Sequence, residues 1–171
     1  MSRYGAQFGP DVTFLGVDRC DVEDPQTYAG ADVVVLGAPF DGGTSHRPGT
    51  RFGPQAIRTT DYLAHDGSRP SLALRVDGLR DLRVLDAGDV ECPPGDIETS
   101  LARIESAVER IARAGAIPLV LGGDHSIAFH DAKGVANVLG QGRVSMIHFD
   151  AHADTGDIEF GSLWGHGQPM R

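Results

Sequence analysis

The residues best suited to chemistry lie in one short segment, residues 148–154, whose sequence is HFDAHAD. Asp150, His152 and Asp154 stand at alternate positions, and alternate side chains of an extended chain point to the same face. The apolar run before them, residues 144–149, predicts a buried strand that would carry these side chains to its end. Convergent carboxylates and imidazoles bind divalent cations. The segment therefore predicts a metal site.

A second segment, residues 122–126 with the sequence GGDHS, follows another apolar run and offers the imidazole of His125. Carboxylates and an imidazole crowded on one face are poorly satisfied without a cation. We therefore interpret four residues as metal ligands: His125, Asp150, His152 and Asp154. This set is rich in oxygen and lacks a thiolate, which favours Mn²⁺ and leaves Fe²⁺, Co²⁺ and Zn²⁺ as alternatives. Phosphate binding by the glycine turn is the minor interpretation, because no Lys-Ser/Thr pair or Gly-x-Gly-x-x-Gly spacing accompanies it.

Two other histidines and one loop have a role that local sequence leaves open. His148 would face the same way as the cluster but deeper, which is typical of a core histidine or of a partner to a ligand. His166, in a glycine-flanked loop, is a candidate proton shuttle, although most loop histidines are merely solvated. The glycine-rich loop 41–54 either shapes turns or frames a substrate pocket.

The elements that must position these residues alternate between strands and helices. Strands are predicted over residues 31–37, 82–87, 117–121 and 144–149, and helices over residues 55–65, 96–115 and 126–139. Strands joined by helical crossovers predict a parallel α/β sheet, and in such sheets ligands bind beyond the carboxyl ends of the strands. Both metal-like segments fall there. We expect one domain over residues 1–171, with residues 1–30 as an N-terminal arm.

The composition argues against several classes of function. A formal net charge of −9 without a dominant basic patch argues against a nucleic-acid partner and weakly favours a cationic substrate. No apolar run reaches membrane-spanning length, and the N-terminus lacks a secretion signal. The two cysteines, Cys20 and Cys92, have no metal or redox spacing. We therefore expect a cytoplasmic protein without a membrane partner.

The motifs together resemble the ureohydrolase family of arginases and agmatinases. The matching pieces are GGDHS at 122–126, DAHAD at 150–154, HGQP from His166, and the RPG…RFGP…IR pattern within residues 47–58. The resemblance extends from about Val33 to Arg171. It implies an arginase-like fold, which is an α/β, three-layer parallel β-sheet flanked by helices. It also implies an incomplete chain, the N-terminal half of a longer protein, because the family's later Asp-x-Asp pair has no counterpart.

The resemblance implies a site with two Mn²⁺ ions. His125 would bind one ion and His152 the other, while Asp150 would bridge both and Asp154 would complete the first site. A hydroxide shared by the metals would attack the guanidinium carbon, and the adduct would release urea and an amine. Asp154 and His166 would be the catalytic residues. Asp154 would pass a proton to the leaving amine, and His166 would face the substrate as a proton shuttle. This activity is assigned to the complete protein.

The resemblance leaves the substrate open. The loop 41–53 and residues 164–171 look more like the agmatinase and guanidino-acid branch than like arginase. Agmatine, a small cationic guanidino compound of polyamine metabolism, is favoured because the negative net charge suits a dication. Guanidinobutyrate or another guanidino acid would need a cationic contact, which Arg47 offers. Two further alternatives are a deacetylase-like enzyme with one Zn²⁺ on Asp150 and His152, and an inactive metal-binding regulatory fragment. A homo-oligomer is the expected assembly.

Overall fold

Strands and helices alternate along the chain, of which the computed structural model describes residues 12–60 and 70–171. The strands are β1 (Val33–Ala38), β2 (Pro70–Ser71), β3 (Val76–Asp77), β4 (Val84–Asp89) and β5 (Ile117–Gly122). The helices are α1 (Gly53–Thr59), α2 (Gly78–Asp81), α3 (Ile97–Arg113) and α4 (Ile127–Leu139). Short 3₁₀ turns cover Phe14–Gly16, Pro25–Tyr28 and Thr50–Phe52.

The main sheet is parallel and has the order β4-β1-β5. Val33 of β1 aligns with Val84 of β4 and with Ile117 of β5, so all three strands end at one edge. Residues 18–20 run along the outer side of β4, where the amide of Cys20 donates to the carbonyl of Asp86 at 3.0 Å. Residues 18–20 therefore cover this edge of the sheet, while residues 1–11 of the expected N-terminal arm lie outside the described residues.

Helix α3 forms because its sequence supplies both an apolar face and a capped start. The side chain of Asp96 accepts a hydrogen bond from the amide of Thr99 at 3.0 Å, which satisfies a free donor of the first turn. The apolar face is fully buried and packs with Val34 and Leu36 of β1. Its buried members are Leu101, Ile104, Val108 and Ile111. The helix that the sequence predicts over residues 96–115 is confirmed.

Helix α1 lies on the opposite face of the sheet. A Cβ on Gly37 of β1 would lie 1.8 Å from Asp89 Oδ1 and 3.0 Å from Arg58 Nη1, so this face of the strand meets α1. Arg58 is buried, and it binds both carboxylate oxygens of Asp86 at 2.9 Å and also pairs with Asp89. Burial alone would lower the pKa of Arg58, but hydrogen bonds and charge from the two aspartates raise it above its ordinary value. Helices on both faces complete the expected three-layer α/β fold.

The structure departs from the predicted elements at two places. The helix predicted over residues 55–65 ends at Thr59, and residues 61–65 lie outside the described residues. The strand predicted over residues 144–149 is wrong, because this segment has no strand pairing and leaves Ile147 82% and Phe149 94% exposed. An apolar run becomes a buried strand only when it pairs with a neighbour and is covered on its faces, which does not happen here.

No helix within the described ranges 12–60 and 70–171 combines the length and the apolar character that a membrane span requires.

Asp131 of α4 lines a cavity of about 660 Å³ between α4, β5 and residues 144–148, where His125 and His148 are the other titratable groups. Burial raises the pKa of Asp131 from 3.8 to about 6. Because the folded state prefers the neutral acid, Asp131 lowers stability as the pH rises from 3.8 to 6, and the full cost persists above that range.

We expect Asp131→Asn to raise the free energy of unfolding at pH 7.5 by about 1–3 kcal/mol, at about 1.4 kcal/mol per pKa unit. At pH 4 the same substitution will have little effect, because the native carboxyl is then already neutral in the fold. Urea unfolding at both pH values measures the difference. Asp157→Asn, at an exposed carboxylate, controls for a general effect of lost charge. An equal change at both pH values would contradict the assignment.

Candidate metal centre

The site begins at the carboxyl end of β5, where a glycine turn leads into α4. Gly123 has φ +85°, and a Cβ there would lie 2.4 Å from the carbonyl oxygen of Ala38 and 2.9 Å from that of Phe40. Only glycine fits this conformation and this close approach. The turn therefore places Asp124 and His125 against the end of β1, at the edge where the sequence predicts ligand binding.

Four side chains converge at this edge, and each offers one possible ligand atom. The atoms of His125, His148, Asp150 and Asp154 all lie within 4.8 Å of one another. His125 Nδ1 contacts Asp154 Oδ2 directly and lies 3.7 Å from Asp150 Oδ2. The ring of His148 stacks on that of His125, with centroids 4.9 Å apart, and its Nε2 lies 3.2 Å from Asp150 Oδ2. Two imidazoles and two carboxylates thus share one small volume.

The pKa of Asp150 is held below its ordinary value, chiefly by the backbone amide of His152, which donates to its Oδ1 at 2.9 Å. Desolvation opposes this effect in part, and a hydrogen bond from His148 lowers the pKa of Asp150 further. The carboxylate is therefore ionised at neutral pH, which is the form that binds a cation.

Three of the four ligands predicted from the sequence meet in this cluster: His125, Asp150 and Asp154. The fourth, His152, has an 82% exposed side chain, and its Nδ1 lies 3.8 Å from Asp150 Oδ1. His148, which sequence reasoning assigned to the core or to a supporting role, takes the fourth place instead. Its position two residues before Asp150, with the same parity, is the signal that could have identified it. The chain bends at residues 151 and 152, and Asp154 has φ +50°, so strict alternation does not hold.

The cluster suits a divalent cation by its donor chemistry. A bound ion would compensate two carboxylates and draw the imidazole nitrogens and carboxylate oxygens around one centre. The cluster contains no cysteine, and burial raises the pKa of the two thiols, Cys20 and Cys92, to about 11. The described donors are therefore imidazole and carboxylate, the set for which the sequence favours manganese.

His166 lies outside that cluster and is attached to the loop that follows β1. Its backbone amide donates to the carbonyl of Gly43 at 3.0 Å, and its Nδ1 lies 2.9 Å from the same oxygen. A carbonyl can only accept, so Nδ1 must carry a proton, and in the neutral form of the ring the lone pair is on Nε2. Ser45 Oγ lies 3.5 Å from Nε2. The ring thus offers one basic nitrogen in a fixed tautomer.

Two buried aspartates anchor the loop at residues 41–53. Asp124 Oδ2 accepts from the amide of Gly43 at 2.7 Å, while Asp41 accepts from the amide of Gly49 at 2.8 Å and from Arg51. The Arg51 guanidinium, through its hydrogen bond, holds the pKa of Asp41 below its ordinary value. These bonds fix the loop at the carboxyl edge of the sheet, next to the turn that carries Asp124. Its role in framing a substrate pocket stays a prediction.

Comparison with known protein families gives a match over most of the chain. A model of the arginase family matches residues 31–171. Proclavaminate amidinohydrolase from Streptomyces clavuligerus is 42% identical over 149 residues, covering 86% of this chain and 45% of that protein. Mitochondrial agmatinase from Gallus gallus is 40% identical, covering 85% of this chain and 42% of its own length. Mitochondrial guanidino acid hydrolase from Homo sapiens is 40% identical, covering 83% of this chain and 39% of that protein.

Solved structures show the same fold. The structure of proclavaminate amidinohydrolase from Streptomyces clavuligerus aligns with a TM-score of 0.77 at 36% identity, over 95% of this chain and 50% of that one. Formiminoglutamase from Trypanosoma cruzi, solved with Mn²⁺, aligns with a TM-score of 0.71 at 27% identity, over 89% of this chain and 51% of that one. The chain therefore has the arginase-like architecture and spans about half the length of the relatives it matches.

Proposed function

The chain belongs to the arginase family, and on that premise we propose that its complete protein hydrolyses a guanidino compound to urea and an amine. The observation that carries the proposal is the convergence of His125, Asp150 and Asp154 at the carboxyl edge of a parallel sheet. This edge is where α/β proteins bind ligands, and the donor types are those of a divalent metal site.

The proposed cofactor is a pair of Mn²⁺ ions. His125 would bind one ion and His152 the other, with Asp150 shared and Asp154 on the first. For this, the side chain of His152 must turn inward from its exposed position. An extended conformation of residues 150–154 would achieve that, since alternate residues then share a face. Manganese would supply Lewis acidity and a lowered pKa of bound water.

Asp154 and His166 are the proposed catalytic residues of the chain. Asp154 Oδ2 contacts His125 Nδ1, so its carboxylate lies among the metal ligands and can hold a proton destined for the leaving amine. In the neutral form of His166, Nε2 is the unprotonated nitrogen, because Nδ1 donates to the carbonyl of Gly43. Nε2 can therefore take up or return a proton on the substrate side of the site.

Agmatine is the substrate we favour. A relative at 40% identity is named agmatinase, and the net charge of −9 suits a dication. We place the reaction in the cytoplasm, in a homo-oligomer and in polyamine metabolism, although two of the relatives above are mitochondrial by name. These finer assignments are predictions for the complete protein.

A guanidino acid is the second candidate substrate. A relative at 40% identity is named guanidino acid hydrolase. Arg47 is exposed within the loop 41–53, which Asp41 and Asp124 anchor at the site's edge of the sheet. Its guanidinium offers the cationic contact that a substrate carboxylate needs.

The test is metal content and urea release after loading with Mn²⁺, with agmatine, guanidinobutyrate and arginine assayed in parallel. From the complete protein we expect urea from one guanidino substrate and about two Mn²⁺ per site, as in two-metal hydrolases. Chelation before the assay is the control and should abolish urea release. At most one weakly held ion and no urea from any substrate would show that this chain is a half-site. The same assays on a chain extended at its C-terminus would then decide the function of the complete protein.

A further inference from the structure

We propose that Asp124 is a positioning residue that sets the tautomer and the direction of His166 through the backbone of Gly43. The inference deepens the proposed function, on which the catalytic use of His166 rests. The contacts that carry it are independent of any metal. They form a continuous path from the turn after β5, through the loop after β1, to the imidazole.

The first step is the saturation of the Asp124 carboxylate, which is 5% exposed. Its Oδ2 accepts from the amide of Gly43 at 2.7 Å, and its Oδ1 accepts from the amide of Ser126 at 2.9 Å and from the Ser126 hydroxyl. A buried carboxylate is tolerated when hydrogen bonds to both oxygens replace its hydration. Asparagine has the same shape but only one acceptor oxygen, so it would turn an NH₂ group toward one of these donors.

The second step is the position of Gly43 between Asp124 and His166. Its amide binds the carboxylate, while its carbonyl accepts from both the backbone amide and the ring Nδ1 of His166. A Cβ on Gly43 would lie 2.6 Å from Ser126 Oγ and 2.9 Å from the carbonyl oxygen of Trp164. The glycine is therefore held on several sides, and a shift of its peptide moves the acceptor of His166.

The third step is the chemistry of the ring. Two bonds from His166 to one carbonyl restrict rotation of the imidazole, and they keep the proton on Nδ1. Without this acceptor the neutral ring would exchange between tautomers, and a fraction of molecules would carry the proton on Nε2, where no lone pair remains for a substrate proton. Asp124 thus acts on the reaction without contacting the substrate.

A matched control separates positioning from support of the loop. Asp41 is also buried and holds the same loop, but at Gly49 and Arg51 instead of Gly43. If both aspartates merely stabilise the loop, Asp41→Asn and Asp124→Asn will affect His166 alike. If Asp124 positions the ring, only Asp124→Asn will change its tautomer.

The experiment is long-range ¹H–¹⁵N NMR of the imidazole rings in the full chain, which has 7 histidines. The His166 signals are assigned by their loss in His166→Gln. We expect one Nδ1–H tautomer in the wild type and in Asp41→Asn, and a mixture of tautomers in Asp124→Asn. An unchanged tautomer in folded Asp124→Asn would overturn the proposal. If that variant does not fold, the wild type decides: an Nε2–H ring, or a Gly43 amide without protection from hydrogen exchange, would overturn it.

Urea assays give a second readout in the loaded protein. We expect Asp124→Asn to lower kcat roughly 10- to 100-fold with little change in KM, since small displacements near reacting groups have effects of this size. A tautomer change in Asp124→Asn would support the positioning even where the wild-type complete protein, loaded with Mn²⁺, releases no urea, and that lack of urea would count against the proposed function alone. The positioning role of Asp124 and the proposed hydrolase function can therefore be contradicted independently.

Discussion

Asp150→Asn will weaken Mn²⁺ binding by roughly 100-fold or more, because even the partners of metal ligands contribute 10- to 100-fold to affinity. Asp150 lies at the centre of the cluster, where its Oδ2 is 3.7 Å from His125 Nδ1 and 3.2 Å from His148 Nε2. The substitution removes the negative charge and one acceptor oxygen. Asparagine still offers an oxygen to the amide of His152, so the local turn can persist.

Titration calorimetry and electron paramagnetic resonance of free Mn²⁺ measure this loss directly. The matched control is Asp157→Asn, which changes an exposed carboxylate three residues after Asp154 and should leave the affinity unchanged. Parallel His148→Ala and His152→Ala variants show which imidazole joins His125. Wild-type affinity in Asp150→Asn would rule out this cluster as the metal site.

Arg58→Ala will lower the free energy of unfolding by about 3–5 kcal/mol, the range for removing one partner of a buried ion pair. Arg58 and Asp86 have side chains that are 2% and 0% exposed, and their two-point contact joins α1 to β4. The variant leaves the carboxylates of Asp86 and Asp89 without their cation. The amides of Phe14 and Gly88 still donate to Asp86, at 2.7 and 2.8 Å, but cannot supply a charge.

Urea unfolding at pH 7.5 measures the effect. Arg58→Lys should be less damaging than alanine but clearly destabilising, because an ammonium cannot reproduce the planar two-point contact. The control is Arg110→Ala, whose partner Glu23 is 63% exposed, and the expected loss there is below about 1 kcal/mol. Similar losses in Arg58→Ala and Arg110→Ala would contradict the assigned role of the buried pair.

The elements confirmed by the structure are those with a strong local signal. Helix α3 has a capping aspartate, an apolar face at three- and four-residue spacing and a glycine after its end, and the structure places it at Ile97–Arg113. Strands β1, β4 and β5 are short, mostly apolar runs, and each begins within two residues of its predicted start. Each of these elements is predicted by residues within its own segment, and it needs only one packed neighbour to form.

The segment at residues 144–149 shows where local pattern is insufficient. Its composition favours a strand as strongly as that of β5, yet its apolar side chains are largely exposed. Strand formation there depends on pairing and on covering layers, which no property of the segment itself provides. The bend at residues 151 and 152 accompanies a further difference: the side chain of His152 lies outside the metal cluster, and that of His148 lies within it.

The sequence by itself determined the family, the parallel α/β class and the chemical types at the site, because motif spacing and apolar periodicity are local properties of the chain. Only the tertiary structure decided which side chains meet. Arg58 with Asp86, and Asp124 with Gly43 and His166, are separated by 28 to 123 positions. Such contacts arise from the order β4-β1-β5 and the turns at its carboxyl edge, since residues distant in sequence become neighbours only when the sheet assembles.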